Sequence, residues 1–202
     1  MTLDRCIACE EVAVEERIEP YVVEHDGKSA TIQDGRMVCT ACGNVSYRGS
    51  QISEHELAVA AAIRQMDGLL SADELLRIRT KYSLKQTDME QMLSTGPKTW
   101  TRWERGKVPQ NKPADKLIRL LAEDPELTRQ LMRQAGVINE EAEAAIERFE
   151  QDAKRLMRTM VMSKVGTAPS AEMQRFAERV AEEAFETVRD ARRQVVARGQ
   201  AA

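Results

Sequence analysis

Four cysteines, spaced as Cys6-Ile7-Ala8-Cys9 and Cys39-Thr40-Ala41-Cys42, are all the cysteines in this 202-residue chain. Two thiolates three positions apart on a tight turn can aim at one centre. Two such turns brought together supply the four sulfurs of a tetrahedral Zn2+ site. The second knuckle runs on into Gly43-Asn44, where a glycine lets the turn close with backbone at positive φ. Four thiolates leave no position for a substrate water, so the expected zinc is structural and does no chemistry. A pair of disulfides is the alternative. No apolar leader follows Met1, which points to a reducing, cytoplasmic setting and favours the metal. A thioredoxin-like reading of either CxxC needs a βαβ setting that the flanks lack. His25 lies in a polar turn beside a ligand set already complete. His25 and His55 are isolated from any nucleophile, so no enzyme is expected.

Charge is segregated along the chain. Residues 1–70 hold 6 Lys and Arg against 12 Asp and Glu, residues 71–137 hold 13 against 9, and residues 138–202 hold 11 against 12. Four metal-bound thiolates would make the first segment more acidic still. An acidic head joined to a basic middle implies two surfaces with different partners. Aromatic residues at 4% argue against one large core. No run of about eighteen apolar residues exists, so no membrane span is expected.

The elements that must position these residues divide into four stretches. Residues 1–50 form a zinc-binding β domain, with β-rich runs at Val12-Ala13-Val14, Ile18 to Val23 and Ala30-Thr31-Ile32 and a turn at His25-Asp26-Gly27-Lys28. Residues 51–70 form a connecting helix, read from Ser53 with a capping box at Ser53/Glu56 and an apolar face of Leu57, Val59, Ala60, Ile63 and Met66. Residues 71–137 form a helix-turn-helix domain, and residues 138–202 a helical hairpin. The fold class is α+β overall, mostly α.

The middle stretch is the most specific. A capping box at Ser71/Glu74 opens a helix to about Tyr82. Leu84 to Leu93 forms a second helix, Ser94-Thr95-Gly96 a turn, and Pro97 to Arg105 a third helix with Gly106 at its end. Asn111-Lys112-Pro113 restarts a helix with apolar face Ala114, Leu117, Ile118 and Leu121, and Asp124-Pro125-Glu126 caps one ending near Gly136. On the third helix Lys98 and Arg102 stand four apart and share a face. Thr99 and Thr101 flank them with hydroxyls that can reach phosphates, and Arg105 and Lys107 follow. An Arg there can fork onto guanine O6 and N7, while Gln86 opens the second helix, where its side chain and backbone amide can hold a phosphate. Other readings stay open: Trp100 as core or backbone contact, Trp103 as a core wedge, Glu104 as partner of a basic neighbour, and Lys107 and Lys112 as a solvated face.

From Cys6 to about Met132 the chain resembles the MqsA-type antitoxins, in which a YgiT-type zinc finger precedes an Xre-like helix-turn-helix. The resemblance rests on the knuckle pair, on Leu75-Leu76-Arg77-Ile78-Arg79 with Ser83-Leu84-Lys85-Gln86, on Trp100-Thr101-Arg102-Trp103-Glu104-Arg105-Gly106, and on Leu117 to Leu121 followed by Asp124-Pro125-Glu126-Leu127. It implies a homodimeric antitoxin of a type II toxin-antitoxin system. The zinc domain would neutralise a cognate toxin, and the helix-turn-helix would repress its own operon on double-stranded operator DNA. It also implies that the positions of Lys98 and Arg102 read bases, although Asn is common at the first of these. A zinc-containing helix-turn-helix transcriptional regulator without a toxin partner is the alternative.

The tail departs from that pattern. Ala142, Ile146, Phe149, Ala153, Leu156 and Met160 recur at steps of three and four, as do Met173, Ala177, Val180, Ala184, Val188, Ala191 and Val195 after a Gly166-Thr167-Ala168-Pro169-Ser170 break. Such seams either pack within the chain or form an added arm for dimerisation or a partner.

Overall fold

The computed structural model describes residues 5–165 and 170–199. These residues form three strands and eight helices, in two compact units, Met1–Ile138 and Asn139–Ala202. A mostly helical α+β fold is therefore confirmed.

Strand β1 (Val14–His25) and strand β2 (Lys28–Cys39) make one long antiparallel hairpin in place of the short runs read from the sequence. Asp26 and Gly27, at φ 48° and 74°, form its two-residue turn, the conformation an Asp-Gly pair favours between right-twisted strands. Short β3 (Val45–Ser46) pairs on the other side of β2, so β2 is central and β1 an edge. Pro20, which has no N–H for a ladder, is tolerated because β1 is an edge.

Helix α1 (Gly49–Asp67) begins four residues earlier than expected, and Ser53 and Glu56 lie inside it. The cap forms instead where the Arg48 amide donates to Gln51 Oε1 at 3.0 Å. The Gln51 amide group, buried under the sheet, donates to Glu16 Oε1 at 2.8 Å. One turn further on, His55 Nδ1 donates to Asp34 Oδ1 at 2.8 Å, and the Tyr47 hydroxyl donates to Asp34 Oδ2 at 2.6 Å. Tyr21 meets the His55 ring edge-on, with centroids 4.9 Å apart. His55 is thus no isolated group but the clamp between α1 and the sheet.

Helices α2 (Ala72–Lys81), α3 (Gln86–Met92), α4 (Thr99–Glu104), α5 (Lys112–Glu123) and α6 (Pro125–Gln134) complete the first unit around Leu75, Tyr82, Met89, Trp100, Ile118, Leu121 and Met132. The Ser71/Glu74 box caps α2 as expected. Asn111 Oδ1 accepts from the Ala114 amide at the start of α5, and Asp124 Oδ1 from Glu126 and Leu127 at the start of α6. Helices α7 (Glu140–Val165) and α8 (Ala171–Gly199) form the second unit. The break read at Gly166-Thr167-Ala168-Pro169 lies outside the described residues, as does the side chain of Val195.

Burial pushes the Asp34 carboxyl up, but the bonds from Tyr47 and His55 hold it below its ordinary value. Asp34→Ala strands a half-buried phenol and imidazole, and is expected to destabilise the first unit by about 1–3 kcal/mol in denaturant titrations.

Candidate metal centre and nucleic-acid interface

The two knuckles are built alike. The Cys6 amide donates to the Glu11 carbonyl at 2.8 Å and the Cys39 amide to the Asn44 carbonyl at 2.9 Å. The Glu10 and Gly43 amides donate back to the carbonyls of Cys6 and Cys39 at 2.9 and 2.8 Å. Each turn closes through a left-handed residue, Glu10 at φ 64° and Gly43 at φ 74°. The β1/β2 register places Val14 opposite Cys39, and the Thr40 amide donates to the Ala13 carbonyl at 2.8 Å, so the hairpin draws the knuckles together.

All four cysteines are free thiols. Cys6 Sγ lies 3.7 Å from Cys42 Sγ, Cys9 Sγ lies 3.7 Å from Cys39 Sγ, and all four fall within 4.8 Å of one another. A disulfide needs sulfurs about 2.05 Å apart. Tetrahedral zinc with bonds of about 2.3 Å spaces its sulfurs by about 3.8 Å, which the two 3.7 Å pairs match. The Ala8 and Cys9 amides bring the Cys6 thiol down to about 7. The Glu11 amide also pulls on Cys9, but the Cys42 sulfur, burial and the other sulfurs outweigh it and push that thiol up to about 12. Sulfurs this close resist carrying four charges unless a cation sits among them, so the donor set fits a metal ion. His25 belongs elsewhere: its Nε2 lies 3.2 Å from Asp67 Oδ2 at the end of α1.

Glu10 adopts a conformation that costs a side-chain residue about 1 kcal/mol more than glycine. Glu10→Gly, which copies the second knuckle, is expected to raise the denaturation midpoint of the metal-loaded chain; a lowered midpoint would show that the Glu10 side chain matters more than its backbone.

In the helical half, α4 starts at Thr99, not at Pro97. Lys98 sits at its N-cap with φ 63°, outside the helix, and its carbonyl accepts from the Arg102 amide at 3.0 Å. Lys98 and Arg102 are therefore not an i, i+4 pair on one helix, because the left-handed residue bends the chain between Pro97 and the first turn. Lys98, Arg102, Arg105 and Lys107 are exposed, and their side chains have no hydrogen bond or ion pair among the described residues. Thr99 and Thr101 are half-buried. The Thr101 hydroxyl donates to Gln86 Oε1 at 2.8 Å, and Gln86 Nε2 donates to Glu104 Oε2 at 2.6 Å, so the Gln86 side chain is spent inside the fold. Gly106, at φ 73°, ends the helix as expected, with the Lys107 amide donating to the Arg102 carbonyl at 3.0 Å.

Beneath that face is a buried polar hub. Glu104 accepts from Arg79 Nε at 2.5 Å, from Trp100 Nε1 at 2.6 Å and from Gln86, which ties α2, α3 and α4 together. Trp100 and Trp103 are both core, with ring centroids 5.9 Å apart. Two further groups were not legible as site residues. The buried Glu90 of α3 accepts from the Trp100 amide at 3.1 Å and so fixes the start of α4. The buried Arg64 of α1 donates to the carbonyls of Trp103, Gly106 and Val108 at 3.2, 3.0 and 2.5 Å and so holds its end. The one signal for Arg64 is its place four residues after the buried Ala60, on a face that should be apolar. Glu90 has no local signal.

A four-cysteine sheet joined through one helix to a small helical bundle defines the class. The chain belongs to the MqsA family, the antitoxin component of a bacterial toxin-antitoxin system, whose sequence pattern matches residues 4–133. No curated protein matches the chain. No helix among the described residues is long and apolar enough to cross a membrane.

Burial pushes the Glu104 carboxyl up, yet the bonds from Arg79, Gln86 and Trp100 win and hold it below its ordinary value. Its stabilising contribution is therefore full above the ordinary glutamate range and lost as pH falls through the lowered value. Glu104→Ala is expected to cost about 2–4 kcal/mol and to flatten that acid limb in denaturant titrations repeated across pH.

Proposed function

We propose that this protein is a zinc-stabilised, homodimeric antitoxin that neutralises a cognate toxin and represses its own operon. Zinc held by Cys6, Cys9, Cys39 and Cys42 fixes the β hairpin, whose acidic edge strand docks the toxin. A basic partner matches the net charge of residues 1–70, and complementary potentials speed and select such an encounter. The second partner is double-stranded operator DNA, approached by the start and exposed face of α4. Arg102 reads a base, Lys98 and Thr99 contact DNA at the N-cap, and Arg105 and Lys107 hold phosphates. Thr101 and Gln86 brace the helix from below, with the Gln86 backbone amide directed at a phosphate.

The observation that carries this reading is the division of labour around α4. On its inner side Glu104, Thr101, the Trp100 amide and the carbonyls at its end are held by Arg79, Gln86, Glu90 and Arg64, while Lys98, Arg102, Arg105 and Lys107 have no side-chain partner among the described residues. A helix held so firmly costs little to present to a groove.

Arg102→Ala is expected to lower affinity for the chain's own promoter by about 1–3 kcal/mol at one base position and to leave toxin neutralisation intact. Operator affinity unchanged in gel-shift titrations would remove Arg102 as a base reader. A plain regulator without a toxin partner would instead fail to rescue cells from any adjoining small gene.

A further inference from the structure

The second unit presents an apolar face that the hairpin does not cover. Helices α7 and α8 meet through Ala177 and Ala181, both buried, and through charged pairs in which Lys154 Nζ lies 3.0 Å from Glu186 and 3.9 Å from Glu182 and Arg158 reaches Glu178. Of the seams read from the sequence, Ala142, Ile146 and Ala177 are buried, while most of the other described seam residues, and Phe176 beside them, are exposed. Leu156 is 63% exposed, Met160 62% and Phe176 59%, and Met173, Val180 and Val188 are also exposed. At about 100° per residue, Leu156 and Met160 stand about 100° back from the half-buried Met157 and Val161, and Phe176 and Val180 about 100° back from the buried Ala177 and Ala181. The two helices run antiparallel and are rotated in the same sense, so both seams fall on one side of the hairpin.

The charged pairs also set the register. With Arg158 opposite Glu178 and Lys154 between Glu182 and Glu186, Leu156 stands level with Val180, Met160 with Phe176, and Ala153 with Ala184. Three successive layers of one residue from each helix are half of a four-helix bundle. The small Ala153/Ala184 layer lets an opposing pair of helices approach closely.

We infer that the occupant is a second copy of this chain, whose identical hairpin closes the bundle about a two-fold axis. An isologous contact needs a self-complementary patch, and layers free of charge meet their own copies without a desolvated ion. Covering these side chains on both copies removes roughly 1,000 Å² or more from water, which reaches the size of a specific interface. The contact deepens the dimeric reading above and gives it a surface beyond residues 4–133, which the family pattern matches.

The test is sedimentation equilibrium of the full chain beside a Leu156→Glu/Phe176→Glu double variant. Both positions are exposed in one copy, so the change leaves the folded hairpin in place; circular dichroism checks this, and a Leu156→Gln/Phe176→Gln pair replaces it should helicity fall. A wild-type dimer whose dissociation constant rises at least tenfold in the variant is the expected result. An unchanged constant, or a wild-type chain that stays monomeric at tens of micromolar, overturns the inference and leaves the face to another protein or to solvent. Operator binding separates the two claims. If it survives in a variant whose dimer is unaltered, only the bundle is lost; if promoter DNA is never bound while the variant dissociates, only the repressor reading is lost.

Discussion

Four sulfurs held about one tetrahedral edge apart impose the constraint from which the first half of the molecule follows. Neither knuckle has a core of its own, and the sheet between them buries few large side chains: Val23, Met37 and Val38. The hairpin brings Cys39 under the first knuckle, and the sulfurs then repel unless a cation balances them. A small sheet of this kind would draw its folding energy from a bound ion. An ion bound there would fix the end of β2, whose Asp34 receives His55 and Tyr47 and so anchors α1.

Helix α1 carries that order into the helical half. At one end Gln51 and His55 grip the sheet; near the other, Arg64 closes the carbonyl end of α4. The following connection is pinned as well, since Asp115 accepts from the Leu70 amide at 2.8 Å and Gln110 donates to the Leu70 carbonyl at 2.8 Å. The acidic sheet and α4 are therefore joined through one helix.

Local signals explain what could be read in advance. The knuckles, the Asp-Gly turn, the Ser71, Asn111 and Asp124 caps and Gly106 each satisfy a backbone requirement within a few residues, and each stands where its spacing placed it. What failed was decided by tertiary partners. Ser53 and Glu56 resemble a cap, but Gln51 took that role because its amide also meets Glu16. Pro97 has the profile of a first helical residue, yet the left-handed Lys98 delays the helix by two positions. Gln86 was read as a phosphate holder on its side chain as well as its backbone, whereas the side chain serves Thr101 and Glu104. The roles of Glu90, Arg64 and Asp34 come from contacts between residues ten to forty-four positions apart, which no periodicity reveals. In the tail the seams were legible, but only Ala142, Ile146 and Ala177 of them are buried, while Leu156, Met160, Val180 and Val188 stay exposed.

Metal stoichiometry measured with thiol accessibility tests the account most directly. Purified protein should carry one zinc per chain, with all four cysteines slow to react with a thiol reagent until a chelator removes the ion. Protein without metal, whose four thiols titrate at once while the sheet remains folded, would contradict it.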